Sequence, residues 1–212
     1  MIRWDWIAAN LDTIADAALE HVVLAGIAVG VGFAISFLVG LAIYRRPGLY
    51  GPVTAVAGIL YTIPSLALFA FLVPVTGLSI LTAEIGLVGY TLLILVRNIV
   101  AGLDGVPPDV REAAEGMGFT AWQRLWRVEL PLALPVIVAG VRIAAVTTIG
   151  LVMVTALIGQ GGLGQLMLRG FNRSFPTPIY VGTALSVALA IAVDVTLLAV
   201  QRRLTPWARG RG

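Results

Sequence analysis

Neither cysteine nor lysine occurs anywhere in the 212 residues, and histidine occurs only at position 21. The missing cysteine excludes disulfides, thiolate nucleophiles and cysteine-based metal sites. His21 has no second histidine with which to build a metal centre, and it reads as a polar residue at a membrane edge. Without lysine the G-x-x-x-x-G-K-[ST] phosphate loop cannot be written, so ATP hydrolysis of that kind belongs to a partner. Charge is scarce as well. Only 12% of the residues are charged and 59% are hydrophobic, whereas about a quarter of a soluble domain is charged. The chain is an integral membrane protein.

What is present is a series of uncharged runs separated by short polar intervals. Residues 1 to 20 place Ile7, Leu11, Ile14 and Ala18 on one helical face, with Asp5, Asp12, Asp16 and Glu20 around it. That pattern predicts an amphipathic N-terminal helix lying on the membrane surface. The acidic start is unlike a signal peptide, so no cleavage is expected. Val22 to Tyr44 is the first span, since at about 1.5 Å of rise per residue it crosses a core of roughly 30 Å. Gly32, Ser36 and Gly40 recur along it as a small-residue stripe for close helix packing. The run from Leu49 to Ala83 is longer than one span needs; Pro64 is expected to bend it, and Pro74 with Gly77 to end it. A third span follows Glu84 and ends near Leu103, a fourth runs from Val136 to Ile158, and a fifth from about Ile179 to Val200. Gly159 to Pro178 reads as a polar, glycine-rich loop. The domain plan is residues 1–20, a membrane domain over 21–200, and a basic tail over 201–212.

The longest polar interval, Pro107 to Pro135, organises the chain. Asp109 and Glu112 have capping-box spacing, and the preceding prolines stop the third span from running on. Ala113 and Ala114 leave a helix face almost without bulk. Gly118 suits a left-handed helix end, and Thr120 with Gln123 repeats the capping box for a short helix carrying Trp122, Leu125 and Trp126. Leu130-Pro131 is expected to close that helix. The result is a bent, two-piece elbow with a smooth surface, shaped to dock into a groove on another protein.

Glu112-Ala113-Ala114, then Gly118, then Val128, Leu130 and Pro131 resemble the EAA loop of ABC importer permeases, with Val128 where isoleucine is commoner. Three further stretches resemble the osmoprotectant branch of that family: Tyr61-Thr62-Ile63-Pro64-Ser65-Leu66-Ala67-Leu68, Gly140-Val141-Arg142-Ile143-Ala144-Ala145, and Ala156-Leu157-Ile158-Gly159 leading into Gly161-Gly162-Leu163-Gly164. The likeness extends from about His21 to Val200. It implies the type I permease fold, an all-α membrane protein of about five transmembrane helices with a cytoplasmic coupling loop. It also implies a non-catalytic subunit working with cytoplasmic ATPase subunits, a second permease subunit and an extracytoplasmic binding protein. No cofactor is then bound by this chain, and ATP and Mg are used by the ATPase. The implied cargo is glycine betaine, choline, carnitine or a similar compound, with methionine or another amino acid as the rival. Leu151 to Thr155 and Gln160 depart from the commoner pattern in a way that fits a non-identical sister subunit, so homodimer and heterodimer both stay open. Tyr61, Pro64, Ser65 and Phe69 are the candidates for lining the translocation path, with Phe71 nearby.

The arginines give an independent reading of topology. Arg45, Arg46, Arg111, Arg124, Arg127, Arg202, Arg203, Arg209 and Arg211 fall on one side of the spans; Arg3, Arg169 and Arg173 fall on the other. The positive-inside rule places the N-terminus outside and the elbow and C-terminus in the cytoplasm of a cell-membrane protein. The same scatter beside apolar spans, rather than in one patch, argues against nucleic acid as the reason for the net charge of +3. Arg97, Arg142 and Asp194 lie within apolar segments, where charge is costly, and Asp194 is expected to neutralise Arg142 or Arg97. Gly159 to Gly164 spells G-x-G-x-x-G, but it lacks the βαβ context and the acidic partner of a dinucleotide site. Glu112 and Glu115 lack a pocket for acid–base chemistry and read as solvated charges. A stand-alone secondary transporter or channel is the reading from another class, and it would call for an internal repeat and midplane ionisable groups that the sequence does not supply.

Overall fold

Prolines and glycines decide where the helices stop. In a computed structural model, described here over residues 2–207, every regular element is helical. A short helix α1 (Trp4–Ala9) leads into α2 (Leu11–Arg45), which runs unbroken for 35 residues. The 3-10 turn Pro47–Leu49 then opens α3 (Tyr50–Thr62), and α4 (Ser65–Thr76) follows at a bend of 95°. Ile63 and Pro64 are both extended at that break, as a proline and the residue before it favour. Gly77, at a φ of 73°, ends α4 as expected. The long helices α5 (Ile80–Asp104), α8 (Leu130–Val152) and α10 (Pro176–Leu204) complete the membrane set, with α6 (Pro108–Gly116), α7 (Ala121–Arg124) and α9 (Leu163–Asn172) between them. Four helices are long and apolar enough to cross a membrane, and the bent α3–α4 pair makes a fifth span if it counts as one.

α2 and α5 form the spine. A Cβ on Gly32 would collide with the Thr91 side chain, and one on Gly40 would sit 2.5 Å from Ile99, so the stripe faces α5 and the two helices run in the same direction. α8 runs against them. Gly102 lies where a Cβ would come within 2.9 Å of the Ala133 carbonyl, and Gly140 fits beside Asn98. Leu24, Ala25, Ala28, Phe69, Leu87, Ile149 and Val152 fill one core; Ile99, Leu103, Leu125, Ala133 and Ile137 fill a second beneath the elbow. α10 lies outermost, packed on α8 and α9.

Three expectations change. Residues 1–20 do not form one separate helix, because α1 ends at Ala9 and residues 11–20 belong to α2; Ile14 and Ala17 there pack on Leu163 and Leu166, while Leu11 stays exposed. The glycine-rich loop contains α9, whose Leu163, Leu166 and Gly170 are buried. Its approach is tight. Gly161 and Gly162 have φ of 125° and 46°, a Cβ on Gly162 would strike the Ala17 carbonyl, and the Gly161 amide donates to Glu20 Oε1 at 3.1 Å. These glycines are therefore a close-packed turn against α2. Glu84, finally, lies inside α5 rather than ahead of it. Arg209 and Arg211 of the basic tail lie outside the described residues.

Candidate coupling site

The elbow is built from two capped pieces over one buried carboxylate. α6 begins at Pro108 with Pro107 before it, so Asp109 lies in the first turn and makes no side-chain cap. That corrects the first capping box. A proline at the start needs no cap for its own missing N–H, and Asp109 still complements the positive helix end. Gly118 has a φ of 81°, and the Phe119 amide donates back to the Ala114 carbonyl at 3.1 Å, closing α6. The second capping box forms as read: the Gln123 amide donates to Thr120 Oγ1 at 3.3 Å, and the Thr120 amide to Gln123 Oε1 at 2.9 Å.

Leu130-Pro131 does not close the following helix. Residues 125–129 form a π turn, and α7, that turn and α8 are continuous over Ala121–Val152. Pro131 has no N–H to return to the α register, so the widened turn just before it leaves no bond unmade there. Leu125 and Glu129 are buried, while Trp122 and Trp126 stand half exposed with their rings at 5.4 Å.

Glu129 is fully buried, at 0% side-chain exposure. Tyr44 Oη from the end of α2 donates to it, at 2.7 Å from Oε1 and 2.6 Å from Oε2. Arg111 Nε of α6 lies 3.3 Å and Arg124 Nε of α7 lies 3.2 Å from Oε1. Neither Nε–H is aligned as a hydrogen bond, so the attraction is charge on charge. Arg111 Nη2 also donates to the Leu103 carbonyl at the end of α5, at 2.6 Å, and Arg124 pairs with Glu115. One carboxylate thus gathers α2, α6, α7 and α8. Sequence reading missed it; the signal was a lone acid one residue before Leu130-Pro131, at the mouth of an apolar span.

The outer face of the elbow is smooth and open. Glu112, Ala113 and Gly118 are exposed, Met117 is 68% exposed, and Ala114 alone of the motif is buried. Beside it, Arg45 lies over the Trp122 ring at 5.5 Å from its centroid, edging a cleft of about 440 Å³ with Leu41, Arg46 and Leu49.

Higher up, Arg142 and Asp194 form a two-pronged pair, Nε to Oδ1 at 2.9 Å and Nη2 to Oδ2 at 3.0 Å. Gln201 extends it, accepting from Arg142 Nη1 at 3.3 Å and donating to the Pro135 carbonyl at 2.9 Å. Arg97 is exposed and has no partner among the described residues, so Arg142 is the partner of Asp194. At the proline break Tyr61 and Pro64 are exposed and Ser65 opens α4. The Tyr61 ring meets that of Tyr90 edge-on at 5.8 Å, and the Tyr90 hydroxyl donates to the Ile63 carbonyl. Phe69 is a core residue, 1% exposed, set over Gly86. An aromatic of that size in a continuous helix packs more readily against a glycine than into an aqueous path.

Residues 20–208 match the family described as binding-protein-dependent transport system inner membrane component. The chain belongs to this family. Among curated relatives of this permease, the osmoprotectant import permease protein OsmW of Salmonella typhimurium is 41% identical over 93% of this chain and 94% of that one. The glycine betaine/carnitine/choline transport system permease protein OpuCB of Bacillus subtilis is 35% identical over 88% and 86%. An inward-facing structure of the MetNI methionine ABC transporter superposes with a TM-score of 0.83 at 25% identity, covering 93% of this chain and 98% of that one. The permease is therefore a transport subunit of a binding-protein-dependent importer with the type I fold, and a stand-alone transporter or channel is set aside.

Proposed function

We propose that this permease imports quaternary-ammonium osmoprotectants such as glycine betaine, choline or carnitine. The observation that carries the substrate class is the 41% identity, over nearly its whole length, to an osmoprotectant import permease. The methionine transporters share the fold at 25% identity, which is weaker support for their cargo here. ATPase subunits in the cytoplasm dock on the knuckle that Glu112, Ala113 and Gly118 expose over the buried Ala114, with Leu130 and Pro131 behind it, and they consume the ATP and Mg that this chain has no loop to hold. A second permease subunit and an external binding protein complete the assembly. Tyr61, Pro64 and Ser65 line the path where α3 and α4 break, with Phe69 supporting them from the core. The orientation has the N-terminus outside. It is supported by Arg45, Arg111, Arg124 and Arg202, carried on helix ends that polar bonds tie together.

The test is uptake by liposomes holding the complete transporter, with ATP inside and loaded binding protein outside. Uptake of labelled glycine betaine, choline or carnitine is expected, and it requires both ATP and binding protein. Uptake of methionine with none of these compounds moved would overturn the substrate class.

A further inference from the structure

We infer that Glu129 is a positioning residue of transport, the joint through which movement of the elbow reaches the membrane helices. The inference rests on the importer reading above. Four observations converge on it. The carboxylate is wholly buried at the root of α8, yet its partners come from three other helices: Tyr44 of α2, Arg111 of α6 and Arg124 of α7. Glu129 closes the π turn Leu125–Glu129, a departure from the α register of a kind found frequently at functional sites. The two arginines belong to the two pieces of the elbow, so both pieces pull on one oxygen. Neither Nε–H is aligned with that oxygen; the outer nitrogens of the two guanidinium groups are held instead by the Leu103 carbonyl, by Glu115 and by Tyr44 Oη.

A purely structural ion pair would be expected to have its buried donors aligned, since buried charge is costly unless paired and hydrogen-bonded. Here a small rotation of α6 or α7 tightens one arm while Tyr44 keeps hold of α2. The motion of a docked partner therefore reaches α2 and α8 together rather than being lost in a flexible loop. The Arg111 bond to the Leu103 carbonyl adds α5 to the same movement.

The test uses the complete transporter in liposomes, with Glu129→Gln, which keeps the shape, and Glu129→Asp, which keeps the charge. Glu129→Gln is expected to lower solute uptake and loaded-binding-protein stimulation of the ATPase by roughly tenfold or more, the size of an ordinary coupling between sites. ATPase subunits still co-purify in their normal ratio, and Glu129→Asp recovers much of the loss. Amide exchange quickens in residues 108–124 and is unchanged in 83–103. Uptake by Glu129→Gln within about twofold of the parent, with normal complex yield, would refute the joint. So would faster exchange through all helices with loss of the complex, which makes Glu129 a folding residue. A parent transporter whose ATPase ignores loaded binding protein refutes the importer reading instead, and the exchange contrast still decides the joint.

Discussion

Gly40 and Gly30 lie on one helix and predict opposite outcomes. A Cβ at Gly40 meets Ile99, whereas one at Gly30 meets nothing within 4 Å. Gly40→Leu is expected to lower stability by about 1–3 kcal/mol through overpacking. Gly30→Ala gains up to about 1 kcal/mol from helix propensity. Thermal unfolding of the purified permease in detergent measures both, and equal effects would discredit the close approach of α2 and α5. At Arg142 and Asp194, either single charge reversal is expected to abolish most uptake, because it sets like charges at hydrogen-bond range within a span. The double reversal restores a pair and much of the uptake; a double variant no better than the singles removes the pairing from any role. The sequence made the glycine stripe legible because its period of four is the period of a helix face. It hid Glu129, because a lone acid on an otherwise apolar helix face gives no sign of Tyr44, Arg111 and Arg124, which only the folded chain brings to it.

Helix ends divide in the same way. Gly118, Gly77 and the Thr120–Gln123 box were readable because each is a local matter of backbone angle or a neighbouring donor. Thr120→Ala is expected to cost about 1 kcal/mol at the start of α7, within the usual range for a lost cap. Faster amide exchange at Ala121 to Arg124, with α5 unchanged, is the readout. Asp109 and Pro131 misled for the opposite reason. Whether a proline starts, ends or merely interrupts a helix depends on where its missing N–H falls, and the continuous run Ala121–Val152 absorbs Pro131 in a widened turn. α9 escaped notice because glycine and polar residues dominate its surroundings. Only Leu163, Leu166 and Gly170, spaced along a single face, mark it as a helix packed between α2 and α10.

At the scale of the molecule, the absence of cysteine makes single introduced thiols unambiguous reporters of sidedness. Met117→Cys is expected to react with an impermeant maleimide only after cells are permeabilised, and Arg169→Cys in intact cells. The reverse pattern inverts the orientation and detaches the elbow from the cytoplasm. The all-helical architecture was largely legible because apolar runs of membrane length leave the chain few choices. How the helices share their burdens was not, since that depends on contacts between distant segments. α2, α5, α8 and α10 are tied by polar bonds at the elbow end, and α2 is tied again at the other by Glu20 and by His21, whose Nε2 lies 3.0 Å from the Ile149 carbonyl. The bent limb of α3 and α4 is tied at its far end, where the Thr76 hydroxyl lies 2.7 Å from that of Thr82 on α5. It leans on α5 and on the 3-10 turn Val154–Ile158, and one phenol oxygen secures its corner. With corner and far end both pinned, the Tyr50 end of the limb is left without a polar tie to another helix among the described residues.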